Sequence, residues 1–184
     1  MNYRKERWSI LDVKKINQYG FTPMLKIGEM AVKEVEKYLR SLKETIEVIN
    51  VEDDEEYQKK DIDLIWRYKM NGRKYEQRIE VKGDRYHHTG NFFIETISNR
   101  EKGTPGCFMY SKADYFFYYF VGTRELYIIP LGKAREWFKE NIHRFEEKFL
   151  STKVGKHAYY TSAGRLVPRN VLKNEVEGVE YKVI

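Results

Sequence analysis

A single cysteine, Cys107, stands in 184 residues. One thiol excludes an internal disulfide and a zinc site built from cysteines. No apolar run approaches the length of a bilayer span. The N-terminal segment MNYRKERWSI lacks the apolar centre of a secretory signal. There is no internal repeat, no low-complexity linker, and no helix-turn-helix or zinc-finger pattern of the kind that reads base sequence. These absences lead us to expect a cytoplasmic, reducing setting and no membrane partner. What is present is charge: 34% of residues are charged against 41% hydrophobic, and the formal net charge is +6. That balance fits one globular domain over 1–184, and it admits a polyanion partner without requiring one.

The pattern predicts a mixed α/β sheet flanked by helices. Residues 1–21 read as a polar lead-in that makes a short helix. Thr22-Pro23 suits a helix start, and Leu25, Ala31, Val32, Val35, Leu39 and Leu42 form its apolar stripe. Glu29 lies four after Leu25 and three before Val32. It is therefore expected on the buried stripe, where a carboxylate has to be paired, protonated or ligating. Strands are expected at Ile46 to Val51, Asn91 to Ile97, Ala113 to Val121 and Glu125 to Pro130, with Glu52 to Glu56 a loop. Asn99 to Gly106 reads as an exposed loop. Lys133 to Leu150 reads as one amphipathic helix, and 151–184 as a C-terminal extension with a basic, tyrosine-containing loop.

The segment Asp61 to Lys82, DIDLIWRYKMNGRKYEQRIEVK, carries the chemistry. Asn71-Gly72 between two strand-like runs predicts a two-residue hairpin turn, because both residues tolerate positive φ. That turn pairs Met70 with Arg73, sets Asp63 opposite Glu80, and puts Asp61, Asp63, Glu80 and Lys82 on one face. Ile62, Leu64, Trp66 and Tyr68 fall on the other. Opposed carboxylates repel unless a cation lies between them. Asp63 and Glu80, with the Val81 carbonyl beside them, are therefore candidate ligands for a hard divalent cation such as Mg²⁺, with Mn²⁺ as substitute. Lys82 is placed to serve an attacking water or a developing negative charge. Asp61 reads as a bystander paired with Lys82.

Asp63 followed by Leu-Ile, then Glu80-Val81-Lys82, with Glu29 in GEMA on the preceding helix, resembles the PD-(D/E)XK nuclease superfamily. Position 62 is Ile where the superfamily's name has proline. VKGDRYHHTGNFFIE, GTPG and SKADYFFYYF resemble phage-encoded members described as endonucleases or Holliday junction resolvases. The resemblance covers roughly 24 to 130. It implies a restriction-endonuclease-like core, Mg²⁺-dependent DNA cleavage with Glu29, Asp63, Glu80 and Lys82 catalytic, and a homodimer acting on branched DNA. It also implies that Glu95 is a recurrent acidic position that supports the site or a second metal. Restriction-like, nicking or flap nucleases on the same core, or an inactive nucleic-acid-binding module, remain open. Arg85, His87, His88, Arg100, Lys102 and Lys112 are candidate DNA contacts, with Ser111 and Asp114 beside Lys112. Each also has a bland reading, as a surface charge or a polar loop. The aromatic run Tyr115 to Phe120 reads as core or interface rather than a base-stacking platform, and Cys107 as an inert thiol.

Overall fold

The computed structural model describes residues 17–154 and 158–184. The expected lead-in therefore lies outside the described residues up to position 16, as do residues 155–157 of the basic loop. Among the described residues no helix is long and apolar enough to cross a membrane. The fold is mixed α/β. It opens with strand β1 (Asn17–Gly20) and helix α1 (Phe21–Ser41), which begins within a residue of the Thr22-Pro23 signal. Strands β2 (Thr45–Asn50), β3 (Leu64–Met70) and β4 (Arg73–Asp84) follow, with the single-turn helix α2 (Glu55–Gln58) between β2 and β3. The Asp54 carboxylate caps α2 by accepting from the Glu56 and Tyr57 N–H groups, so the acidic stretch expected as loop is partly helical.

The hairpin forms in the expected register. Met70 pairs with Arg73 and Leu64 with Ile79, and the turn residues Asn71 and Gly72 both have positive φ, 51° and 77°. Trp66 stacks on Tyr68, and Tyr68 stacks on Tyr75 across the strands. Ile62 departs from the expected alternation. It precedes β3 and packs with Val51 and Ile65 in a small separate cluster, because Asp61 turns the chain at φ 56° just before it.

From β4 the chain leaves the sheet through β5 (Asn91–Asn99), the two-residue strand β6 (Thr104–Pro105) and the short helix α3 (Cys107–Tyr110). It returns as β7 (Tyr115–Phe120), parallel to β4, and then β8 (Glu125–Pro130). Helix α4 spans Leu131–Asn141. The single helix expected from Lys133 to Leu150 is not observed. A 3-10 turn at Ile142–Arg144 follows α4, and β9 (Glu147–Val154) begins where helical spacing gives way to F-x-S-x-K alternation. Strand β10 (Ala158–Pro168), helix α5 (Arg169–Glu175) and β11 (Glu180–Val183) complete the described chain.

Two sheets result. One has the order β11-β8-β7-β4-β3-β2, the other β1-β9-β10-β5-β6. The C-terminal third is thus no appendage, since β10 pairs with β5 and β11 with β8. Helix α1 covers one face of the larger sheet, burying Ala31, Val32, Val35 and Leu39 against Ile79, Val81, Phe117 and Tyr119. The other face buries Phe116, Tyr118 and Phe120 against Phe92 and Ile94 of the second sheet and Phe138 of α4. The aromatic strand β7 is therefore core on both faces. Each such ring contributes roughly 1.5–3 kcal/mol by its burial. The crossover from β4 to the parallel strand β7 runs mainly through β5 and the second sheet.

Candidate metal centre

The C-terminal half of β4 carries Glu80, Lys82 and Asp84 at alternating positions, away from α1. Gly83, on the opposite parity, meets α1 so closely that a Cβ there would lie 2.7 Å from the Ile27 carbonyl oxygen. Strand β4 is thereby pressed on α1 while its even-numbered side chains face a cavity of about 570 Å³. That cavity lies between the two sheets. Asp61, Glu80, Lys82, Asp84, Arg85, Cys107 and Tyr110 line it, together with Glu95, Lys148, Thr152, Tyr160 and Ser162 from strands β5, β9 and β10 of the second sheet.

Glu80 is the buried centre of this group, 7% exposed. Its Oε2 has no hydrogen-bond partner, and neither has Oδ2 of Asp61. One carboxylate oxygen from each of Asp61 and Glu80 and the Cys107 sulfur lie within 4.8 Å of one another. Burial, then the charges of Asp63 and Asp61, push the Glu80 carboxyl well above the ordinary range. Burial likewise raises Asp61, against the Tyr110 hydroxyl and the Lys82 ammonium, which lower it. Burial pushes Asp63 up to about 7, although the Val81 N–H it accepts favours its charged form. Lys82 behaves differently. Burial alone would lower it, but Glu95, Cys107, Glu80 and Asp84 surround it with negative potential and hold its ammonium charged. The cluster is thus one cation among carboxylates that cannot all ionise unaided.

Each side chain has a visible means of support. Asp63 Oδ2 accepts the Val81 N–H at 2.7 Å, and the nearby Asp63 charge raises the Glu80 carboxyl. Asp61 is fixed by the Ser111 hydroxyl, which donates to its carbonyl, and by the Tyr110 hydroxyl, which donates to Oδ1 at 3.2 Å. Arg135 of α4 donates to the carbonyls of Phe108 and Ser111, closing the end of α3. Asp84 accepts from Tyr118 Oη at 2.5 Å and from the Tyr86 N–H, while Tyr118 Oη also accepts the Phe93 N–H. That chain of contacts ties β4 and β7 to the second sheet.

The expected residues separate into groups. Glu80, Lys82, Val81, Glu95 and Arg85 line the cavity. Asp63 does not line it, but stands against Glu80 and holds the Val81 backbone. Asp61, read as a bystander, lines it directly. Glu29 is exposed and away from the cluster. Leu25, from which its position was judged buried, is itself 52% exposed. The inward face of α1 runs instead through Met24, Ile27, Gly28 and Ala31, about 100° or more around the helix from Glu29.

The expected DNA contacts are mostly elsewhere. His87 packs its ring where a Cβ on Gly122 would fall, and its carbonyl accepts from Arg169. His88 is exposed beside it, Arg100 stacks over Phe149, and Lys102 and Lys112 are exposed. None of these five lines the cavity. Ser111 is buried under Asp61, and Asp114 is held by Arg78 through 2.6 and 3.0 Å contacts, so both are structural.

The residues missed from sequence are Asp61, Cys107, Asp84, Tyr110, Tyr118 and Lys148. GTPG was the one usable signal for Cys107. A Cβ on Gly106 would lie 2.2 Å from the Glu95 carbonyl oxygen, so glycine lets α3 start against β5 and delivers the next residue to the site. No protein-family model, curated protein or solved structure matches this chain.

Proposed function

We propose that this chain is a divalent-metal-dependent endonuclease that hydrolyses DNA phosphodiester bonds. The observation that carries the reading is the unpartnered Oε2 of buried Glu80, whose carboxylate lies within 4.8 Å of that of Asp61, with Lys82 two residues further along the same strand. Buried carboxylate oxygens without donors are costly, and a cation relieves that cost more fully than a proton shared among several carboxyls. Asp61 and Glu80 would hold the ion, and Asp63 holds the β4 backbone beside Glu80. A bound Mg²⁺ or Mn²⁺ supplies neutralisation of the scissile phosphate and acidification of water.

The protein's own residues account for the rest. Lys82 remains an ammonium because acids surround it, so it acts as a fixed positive charge and hydrogen-bond donor toward a phosphate oxygen. Glu95 sets the potential at Lys82 and offers a further carboxylate in the same cavity. Arg85, just past the end of β4, and Lys148 of β9 both line that cavity and suit phosphate contacts, which position a backbone without reading sequence. The net charge of +6 supports a polyanion substrate.

Branched DNA is our proposed substrate, with a homodimer making two coordinated cuts inside the cell. It rests on the resemblance of GNFFIE and SKADYFFYYF to phage resolvases. The test is a panel of end-labelled four-way junction, flap and linear duplex, with Mg²⁺, Mn²⁺, Ca²⁺ or chelator. We expect cleavage with Mg²⁺ or Mn²⁺, binding without turnover in Ca²⁺, and faster cutting of the junction. Glu80→Gln and Lys82→Ala should keep binding and lose about 100-fold or more in rate. Cleavage in chelator, or by both variants at the wild-type rate, would overturn the nuclease reading. Equal rates on duplex and junction would overturn the substrate choice alone.

A further inference from the structure

Cys107 is the part of the cavity that a magnesium nuclease does not need. It opens α3, and Gly106 in front of it tolerates no Cβ because the Glu95 backbone fills that space. Its sulfur and one carboxylate oxygen each from Asp61 and Glu80 lie mutually within 4.8 Å. The unpartnered Asp61 Oδ2 and Glu80 Oε2 take no hydrogen bond from the thiol. Three groups rich in lone pairs therefore converge, and two of them hold buried oxygens without a donor. Donors at about 2.1 Å for oxygen and about 2.3 Å for sulfur around one tetrahedral ion stand roughly 3.5 Å apart. The three atoms lie within 4.8 Å of one another, so side-chain shifts of about 1 Å bring them to ligand spacing.

Resting on the metal-site reading above, we infer that Cys107 is the third protein ligand of this ion, so that the site prefers a thiophilic divalent cation to Mg²⁺. The Cys107 sulfur binds as thiolate and its proton leaves to solvent. Two carboxylate oxygens and one thiolate form a mixed donor set. Magnesium gains little from sulfur, whereas Zn²⁺, Cd²⁺ and to a lesser degree Mn²⁺ and Co²⁺ gain from it. The Lys82 ammonium, which lowers the thiol's proton affinity as burial raises it, stands beside the thiolate without ligating. Asp61, Glu80 and Cys107 all line the cavity, through which substrate oxygens would reach a bound ion. Selection among cations thus falls to one residue outside the hairpin.

Cys107 is the only cysteine, so any thiolate–metal signal reports this residue alone. The experiment titrates the full-length chain with Cd²⁺, following the ultraviolet sulfur-to-cadmium charge-transfer band. Competition by Mg²⁺ and Mn²⁺ follows, and Cd²⁺ affinity is measured in parallel by calorimetry. We expect the band to saturate at one ion per chain. Mn²⁺ should displace Cd²⁺ at lower concentration than Mg²⁺. The Cd²⁺ affinity should fall roughly tenfold or more in Cys107→Ser and in Glu80→Gln. The wild-type band needs no variant to fold, and Cys107→Ala provides a second truncation if the serine form is unstable. Calorimetric Cd²⁺ binding without the band, at an affinity unchanged in Cys107→Ser, would overturn the thiolate and leave the carboxylate metal site standing. No binding of Cd²⁺, Mn²⁺ or Mg²⁺ would overturn both.

Discussion

The Ser111 hydroxyl donates to the Asp61 carbonyl oxygen at 2.7 Å, across fifty positions of sequence. Ser111 is 1% exposed, and Asp61 sits at φ 56°, a left-handed conformation that glycine, asparagine and aspartate adopt more readily than other residues. The contact therefore holds that turn in the geometry that brings the Asp61 carboxylate to Glu80. Ser111→Ala leaves that carbonyl and the Ala113 N–H, which donates to Ser111 Oγ, without partners. We expect a loss of about 1–3 kcal/mol in urea unfolding and weaker divalent binding by calorimetry.

Asp61→Asn separates charge from shape. Asparagine tolerates positive φ, and its amide can donate to the orphaned Glu80 Oε2. The metal-free variant should unfold at a higher urea concentration than wild type, while its affinity for Mn²⁺ falls. An unchanged affinity would remove Asp61 from the ligand set.

The metal-free protein should lose stability as pH rises. The Asp63 carboxyl ionises at 3.8 in the unfolded chain and at about 7 in the fold. Between those values the folded state holds the extra proton. Stability contributed by the protonated form is thus fully present below the unfolded value and disappears as pH climbs through about 7. A shift of that size corresponds to about 4 kcal/mol. Thermal unfolding in chelator should show a lower midpoint at pH 8 than at pH 5, and added Mn²⁺ should recover most of the difference.

Tyr118→Phe tests the tie between the sheets. The variant keeps the ring, which packs edge-on to Phe92, and removes the hydroxyl shared by Asp84 and the Phe93 N–H. We expect a loss of about 1.5–3 kcal/mol, the range for hydrogen bonds to charged groups. Hydrogen exchange should show faster opening at Phe93 than at Ile79, on the α1 side of β4.

Two glycines should respond with opposite signs. Gly106→Ala puts a methyl 2.2 Å from a backbone oxygen of β5 that cannot yield cheaply. Gly28→Ala, within α1, meets nothing within 4 Å. The first should destabilise by about 1–3 kcal/mol, and the second should stabilise by about 0.5–1 kcal/mol. Chemical unfolding of both, side by side, checks the pair.

The hairpin was legible because its determinants are local. Asn71-Gly72 dictates the turn, the turn dictates the register, and strand parity then places Glu80 and Lys82 together. Helix α1 was legible from its stripe, but the angular position of Glu29 was not. Leu25 is apolar yet lies past the edge of the contact with β4, so counting from it rotates the stripe. The second sheet was hidden for a different reason. Strand β10 pairs with β5, about 70 residues earlier at Ile97↔Ala163, and β9 joins the same sheet through β10 and β1, so no local pattern announces a partner that far away. Asp61 and Cys107 share that cause. One depends on a left-handed turn fixed by Ser111, the other on a close approach of Gly106 to β5, and both contacts are tertiary.

The most direct measurement is anomalous X-ray diffraction at the manganese edge from crystals grown in the presence of Mn²⁺. The account predicts one strong peak within ligand distance of Asp61 and Glu80, inside the cavity between the two sheets, and its loss in Glu80→Gln. A map with no peak there, and Glu80 Oε2 still without a partner or bonded only to a neighbouring carboxyl, would contradict it.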